Sequence, residues 1–188
     1  YHYYGFFDHR NADGYRQNSR YYNNSGFGTF TYRFTDKFSI TAELMRSNMR
    51  SQQPGGLTDA QLKQDIKQSF RSRNWFDVTW TTPALIANYQ INENTRWNTK
   101  LFATIGNRNS VGFTKALTIM DTFNTSIGSY NPRQVDIDHY VTQSSEVRYL
   151  KQYKLGQQLQ TWTIGARFCN SEIHRLQQGI GSTNSNLE

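Results

Sequence analysis

Six side chains form a set able to do chemistry: Arg16, Arg20, Gln52, Gln53, Arg71 and Arg73. A guanidinium presents a planar fork of N–H donors that matches a carboxylate in bidentate fashion. Amides beside it add neutral donors and acceptors. Arg71 and Arg73 stand two apart, so an extended backbone puts them on one face. Gln52 and Gln53 close the preceding strand and lie opposite them, while Arg16 and Arg20 fall in the first loop. The chemistry offered is capture of an anion. The same arginines also suit lipid-borne phosphates or the bracing of loops through surface pairs.

Groups for catalysis or metal binding are lacking in the sequence pattern. His2, His9, His139 and His174 have no spacing of a metal site or a catalytic triad. His2 and His9 are seven apart, on opposite faces of a strand. Asp136-Ile137-Asp138-His139 brings ligating types together, but strand alternation separates Asp138 from His139, and the segment reads as a solvated loop. The single Cys169 excludes an internal disulfide framework and a cysteine metal cluster; on a strand it reads as a small packing residue. The chain is therefore read as no enzyme, with no resident metal or cofactor.

The elements that must position the arginines are strands. Mean hydropathy is well below zero, and no apolar run approaches the roughly 18 residues of a membrane helix. Yet 15% of the 188 residues are Phe, Trp or Tyr, far too many for a chain that cannot bury surface. Strands with only alternate residues apolar reconcile the two. The formal charge of +7 comes from Lys and Arg spread along the chain, with no basic run or compact basic helix, so nucleic-acid binding is not indicated.

Seven strands are predicted: 1–9, 21–34, 38–49, 74–91, 95–107, 144–155 and 159–174. Phe30, Tyr32 and Phe34 share one face of the second, and Phe38, Ile40, Ala42 and Leu44 continue it across the turn Thr35-Asp36-Lys37. Further short turns stand at Asn92-Glu93-Asn94 and Gly156-Gln157-Gln158, against long polar loops at 10–20, 50–73 and 108–143. Pro83 cannot donate a ladder hydrogen bond and predicts a bulge or local break in the fourth strand. Thr58-Asp59-Ala60-Gln61 has the form of a capping box. It predicts a helix over 59–70, with Leu62, Ile66 and Phe70 packing the loop onto the strands.

Long strands joined by alternating short and long connections define an all-β, antiparallel, up-and-down transmembrane β-barrel segment. Strands crossing hydrocarbon need about 9–11 residues, against about five or six in ordinary sheets. Seven strands cannot close a bacterial barrel, where the count is even and starts at eight. The first residues, Tyr1-His2-Tyr3-Tyr4, carry no leader pattern and begin in mid-strand, and the chain ends in a polar tail from Gly181 to Asn186. It is read as residues 1–188 of one barrel domain within a longer protein. Trp75, Trp80, Trp97 and Trp162 are expected in interfacial girdles, and Arg33, Glu43, Lys100 and Arg167 in the lumen.

Asp13-Gly14-Tyr15-Arg16-Gln17-Asn18-Ser19 resembles the loop DGYRxNS of TonB-dependent outer-membrane transporters. It is followed, as in that family, by the aromatic strand Phe27-Gly28-Thr29-Phe30-Thr31-Tyr32-Arg33-Phe34 and a short turn containing Asp. The stretches 52–61 and 68–76 are similar to the iron(III) dicitrate branch, and Ile164-Gly165-Ala166-Arg167-Phe168 suits a barrel strand in these proteins. The resemblance implies a barrel of 22 strands around a plug. It implies an outer-membrane receptor that imports a ferric chelate by loop capture and plug rearrangement, energised through TonB. Neither the plug nor a TonB-contact segment is recognisable in these residues.

Iron would then arrive as chelated substrate. Ferric citrate is anionic, which makes Arg71, Arg73, Gln52, Gln53, Arg16 and Arg20 the expected ligand contacts. Lipopolysaccharide is the expected lipid partner. The short turns are expected on the periplasmic side and the long loops outside. Two rivals stay open: a non-transporting barrel such as an adhesin or structural protein, and a soluble all-β carbohydrate-binding domain.

Overall fold

The computed structural model describes residues 1–181. The predicted polar tail, from Ser182 onward, lies outside the described residues. Seven long strands make one antiparallel sheet in simple up-and-down order: β1 (His2–Ala12), β2 (Tyr21–Thr35), β3 (Phe38–Gln52), β4 (Trp75–Asn92), β5 (Thr95–Gly112), β8 (Gln134–Leu155) and β9 (Gln158–Ile180). A short helix, α1 (Asp59–Gln64), and a separate small hairpin, β6 (Phe123–Asn124) with β7 (Ser129–Tyr130), lie in the connections. Among the described residues no helix is long and apolar enough to cross a membrane, which says nothing of crossing by strands.

Each short turn leaves only two residues outside the strands. Local side chains or glycine make them. Thr35 Oγ1 accepts from the backbone N–H of Lys37 and Phe38, at 3.2 and 3.0 Å. Asn92 Oδ1 accepts from the N–H of Asn94 at 3.0 Å. Gly156 has φ +63°, which favours glycine. All three turns lie at one end of the sheet. The loops 13–20, 53–74 and 113–133 lie at the other.

Period two fixes which residues share a face. The row Tyr3, Phe30, Ala42, Leu85, Leu101, Ser145, Phe168 runs straight across the sheet by direct pairing. We call its face outer. Nearer the turns the same face carries a continuous aromatic string. Phe34 meets Phe38 at 5.4 Å and Phe38 meets Tyr89 at 6.2 Å between ring centroids; Trp97, Tyr149 and Trp162 follow at 6.1 and 5.6 Å. Arg33, Glu43, Lys100 and Arg167 pair into the opposite, inner face, as expected.

Towards the loops the outer face turns polar: Arg46, Asn48 and Arg50 on β3 stand opposite Thr81, Thr79 and Asp77 on β4. The change falls at Pro83. Pairing of β4 with β5 skips Thr82 and Pro83 and resumes at Ala84 in the same register. There is a local break but no bulge, because the missing donor of Pro83 does not require an extra residue. Without a bulge the faces do not reset. Phe76, Val78 and Trp80 therefore lie on the inner face, opposite to Leu85, Ala87 and Tyr89. Trp80 is thus not part of an outer girdle; it packs across Gly106 and against Tyr140, with ring centroids 5.5 Å apart.

Two predicted spans change most. The loop read over 108–143 is largely ordered: β5 runs on to Gly112, β6 and β7 form a hairpin, and β8 begins at Gln134. Asp136 to His139 thus belong to β8, where Asp138 is buried and paired with Arg108 and Arg175. The helix read over 59–70 stops at Gln64. Its capping box is present, with Thr58 and Gln61 satisfying one another, but its buried residue is Gln61, while Leu62 and Ile66 are exposed. Beyond Gln64 the chain is drawn off by tertiary bonds: Ser69 Oγ donates to the Pro54 carbonyl at 3.0 Å, and Phe70 O accepts from the Asp121 N–H at 3.1 Å.

The sheet has no core of its own. Among the described residues the buried apolar ones are Val111 and Phe113, both at the loop end. Large apolar side chains such as Phe30, Leu44, Leu101, Ile164 and Phe168 are exposed. A face this apolar needs a covering medium.

Candidate functional site: the loop end of the wall

The three long connections form one hydrogen-bonded layer. The middle loop, 53–74, holds both neighbours. Its Lys67 carbonyl accepts from the Gln17 N–H at 2.9 Å. Asn74 Oδ1 accepts from the Phe113 N–H at 2.7 Å, and Gln61 Nε2 donates to the Leu117 carbonyl at 3.2 Å.

Arg73 is the centre of the far side. Its guanidinium meets Asp121 in a fork, Nε to Oδ2 at 2.8 Å and Nη2 to Oδ1 at 2.6 Å, with side-chain exposures of 3% and 0%. The same group donates to the Asn131 carbonyl at 3.0 Å and lies 4.4 Å from the Tyr130 ring centroid. Arg133 is fully buried and donates to the Arg73 carbonyl at 2.7 Å. The second arginine of the pair caps a turn instead of a carboxylate. Arg71 donates to the carbonyls of Ile119 at 2.7 Å and Ala116 at 3.1 Å, and sits over Phe113 at 5.2 Å. Burial lowers its guanidinium from the ordinary value, and the negative Asp121 nearby raises it part of the way back. Its stem lies where a Cβ on Gly55 would be, 2.7 Å from Cγ, so that glycine leaves room for the arginine; Gly55 also has φ +73°.

Arg16, Arg20 and Gln52 are brought together. With Asp13, Asp65 and Lys67 they line an open cleft of about 680 Å³ between the first two loops. Arg16 donates to the carbonyls of Gly55 at 2.8 Å and Gln68 at 2.9 Å, while its buried Nε has no hydrogen-bond partner. Arg20 makes an exposed pair with Asp13 at 3.2 Å. Gln52 is anchored through its N–H to the Arg20 carbonyl at 2.8 Å. Gln53 stands apart from the cleft, its amide on Ser51 Oγ at 2.9 Å. Arg71 and Arg73 are also outside it, inside the loop layer. The six residues thus divide into a cleft set, a brace set and one bystander.

Sequence reasoning missed Asp121, Tyr130 and Arg133, which complete the brace. No local pattern marks them; Asp121 lies 48 residues from its partner. Among the described residues, no group of three or more His, Cys, Asp or Glu is placed to hold a metal ion.

A long-stranded antiparallel wall, aromatic near its short turns and polar towards its loops, is the architecture of a barrel segment. The solved structures contain a counterpart. The ferric citrate transporter FecA, in its unliganded form, superposes with a TM-score of 0.80 over 98% of this chain, at 16% sequence identity. The match covers 27% of that transporter, so the chain spans about a quarter of its length. At this identity the likeness establishes the fold. No protein-family model matches the chain, and no curated protein sequence does.

Proposed function

We propose that this chain is part of the barrel wall of a TonB-dependent outer-membrane receptor that takes up an anionic ferric chelate. The observation that carries the reading is the wall's two faces. The outer face bears an apolar band closed at the turn end by aromatics, as lipid requires. The inner face bears Arg33, Arg96, Lys100, Arg148 and Arg167, which lipid would not tolerate. The fold shared with a ferric citrate transporter favours iron chelates over other anions. The short turns then face the periplasm and the loops face outward, with the plug and TonB contacts elsewhere in the full-length protein.

Within this reading the cleft of Arg16, Arg20 and Gln52 is the first point of capture. Citrate carboxylates suit the exposed guanidinium of Arg20 and Lys67, while Arg16, held by the carbonyls of Gly55 and Gln68, adds its positive charge and keeps the two loops together. Arg71 and Arg73 hold the loops that shape it and would reach a chelate only if the loop layer opened. Lipopolysaccharide phosphates would meet the outward Arg46 and Arg50. Membrane extraction and ligand titration test the proposal together. The protein should require detergent for extraction and should bind ferric dicitrate, and Arg16→Ala with Arg20→Ala should weaken that binding. Solubility without detergent would favour the carbohydrate-binding alternative, and a detergent-requiring protein that binds no ferric chelate would favour the non-transporting barrel.

A further inference from the structure

At the turn end of the wall the outer face carries a groove of about 610 Å³. Phe38, Tyr89 and Trp97 wall it, and they are direct cross-strand neighbours on β3, β4 and β5. Its depth comes from the small side chains of Ala87 and Thr99, paired with one another one pleat nearer the loops. The indole of Trp97 is fixed by its Nε1, which donates to Thr99 Oγ1 at 2.8 Å. Tyr89 and Trp97 are 45% and 41% exposed. β3, β4 and β5 each have a hydrogen-bonded strand on both sides, and the open edges of the sheet are β1 and β9. Further strands joining those edges would therefore leave this groove uncovered.

The turn end of the groove is polar and cationic. Lys37 lines it, and among the described residues its ammonium is in no ion pair. Thr35 lines it too. Its Oγ1 accepts from the N–H groups of Lys37 and Phe38, which leaves its own O–H to donate outward. Asp36, between them, lines a separate cleft on the inner face, with Arg33 and Arg96. The lining of the outer groove therefore holds one positive charge and no carboxylate.

We infer that this groove binds a single anionic glycerophospholipid, of the phosphatidylglycerol class, in the leaflet that meets the short turns. The phosphate takes the Lys37 ammonium and the Thr35 hydroxyl. An acyl chain lies across Ala87 and Thr99 against the aromatic rings, which belong at this depth of a membrane. A zwitterionic headgroup gains less, because no carboxylate lines the groove to meet its ammonium. The inference rests on the membrane reading above, in which the outer face meets lipid, and it is independent of what the loops capture.

The test uses the full-length protein, stripped of lipid in detergent. Phosphatidylglycerol and phosphatidylethanolamine with the same acyl chains are added back, and native mass spectrometry counts the lipids retained. One phosphatidylglycerol should be held about fivefold more tightly than phosphatidylethanolamine, and Lys37→Gln should remove that preference. Ala87→Phe, which fills the groove, should weaken both lipids. Lys151→Gln is the control: it pairs with Trp162 on the same face but lies outside the groove, and it should leave the preference unchanged. Lys37→Gln decides alone if Ala87→Phe does not fold. Equal retention of the two lipids, or a preference that survives Lys37→Gln, overturns the site. No retained lipid on a protein that needs detergent for extraction overturns the site and leaves the membrane reading standing. No retained lipid on a protein soluble without detergent overturns both.

Discussion

Arg73 and Asp121 meet as a two-pronged ion pair inside the loop layer, 48 residues apart in sequence. Removing one member of a buried pair strands the other charge, which costs about 3–5 kcal/mol. Asp121→Ala should therefore release the connection 113–133 while the sheet stays folded. Hydrogen exchange should show faster exchange in that connection and unchanged protection in β3 to β5. The exposed pair of Arg20 with Asp13 is the contrast: Arg20→Ala should change stability by no more than about 1 kcal/mol.

Gly106 has no room for a side chain. A Cβ there would lie 2.2 Å from Trp80 Cε3 and 2.5 Å from the Thr79 carbonyl oxygen. Gly106→Ala should destabilise by about 1–3 kcal/mol through overpacking, with altered tryptophan emission. Gly28→Ala, where nothing lies within 4 Å of the added atom, should be close to neutral. Denaturant unfolding in detergent compares the two.

Adjacent residues of β4 face opposite media in the proposed setting. Leu85 is in the outer band, whereas Ala84 pairs with Glu43 on the inner face. Leu85→Arg should lose about 2–4 kcal/mol of stability in a bilayer, and Ala84→Arg should lose much less. Folding into lipid vesicles measures both. Equal losses would remove the assignment of lipid to the outer face.

Gly55 and Arg71 share one volume. Gly55→Ala would place Cβ 2.7 Å from Arg71 Cγ, at a residue whose φ of +73° already disfavours a side chain. The expected result is loosening of both 53–74 and 113–133, since Arg71 holds the carbonyls of Ala116 and Ile119. Limited proteolysis should cut both connections faster than in the parent protein.

The turn half of the wall was legible in the sequence because, in the proposed setting, one medium enforces one rule. Phe30, Ile40, Leu85 and Leu101 alternate strictly where the outer face must be apolar, and Thr35, Asn92 and Gly156 write the turns locally. Above Pro83 that rule ends. Phe76, Val78 and Trp80 keep the alternation but on the other face, so hydropathy alone could not orient them. Asp138 looked like loop because its two partners lie on β5 and β9, not beside it in the chain. The candidate ligand residues were recognised by type, but type cannot tell a free guanidinium from a buried one. Arg71 and Arg73 became braces through carbonyls and a carboxylate more than 40 residues away.

Pro83 has a mechanical meaning as well. On β4 the outward side chains pass from Leu85 to Thr81 across a single proline, and on β3 from Leu44 to Arg46 in one step. In the proposed membrane setting, a strand marked this sharply carries its own waterline. Sliding the wall outward by one pleat would lift Leu44 and Leu85 into water, and sliding it inward would drown Arg46 in hydrocarbon. Neighbouring strands are locked to the same register, so the draught of the whole wall is set to within one pleat, about 7 Å along a strand.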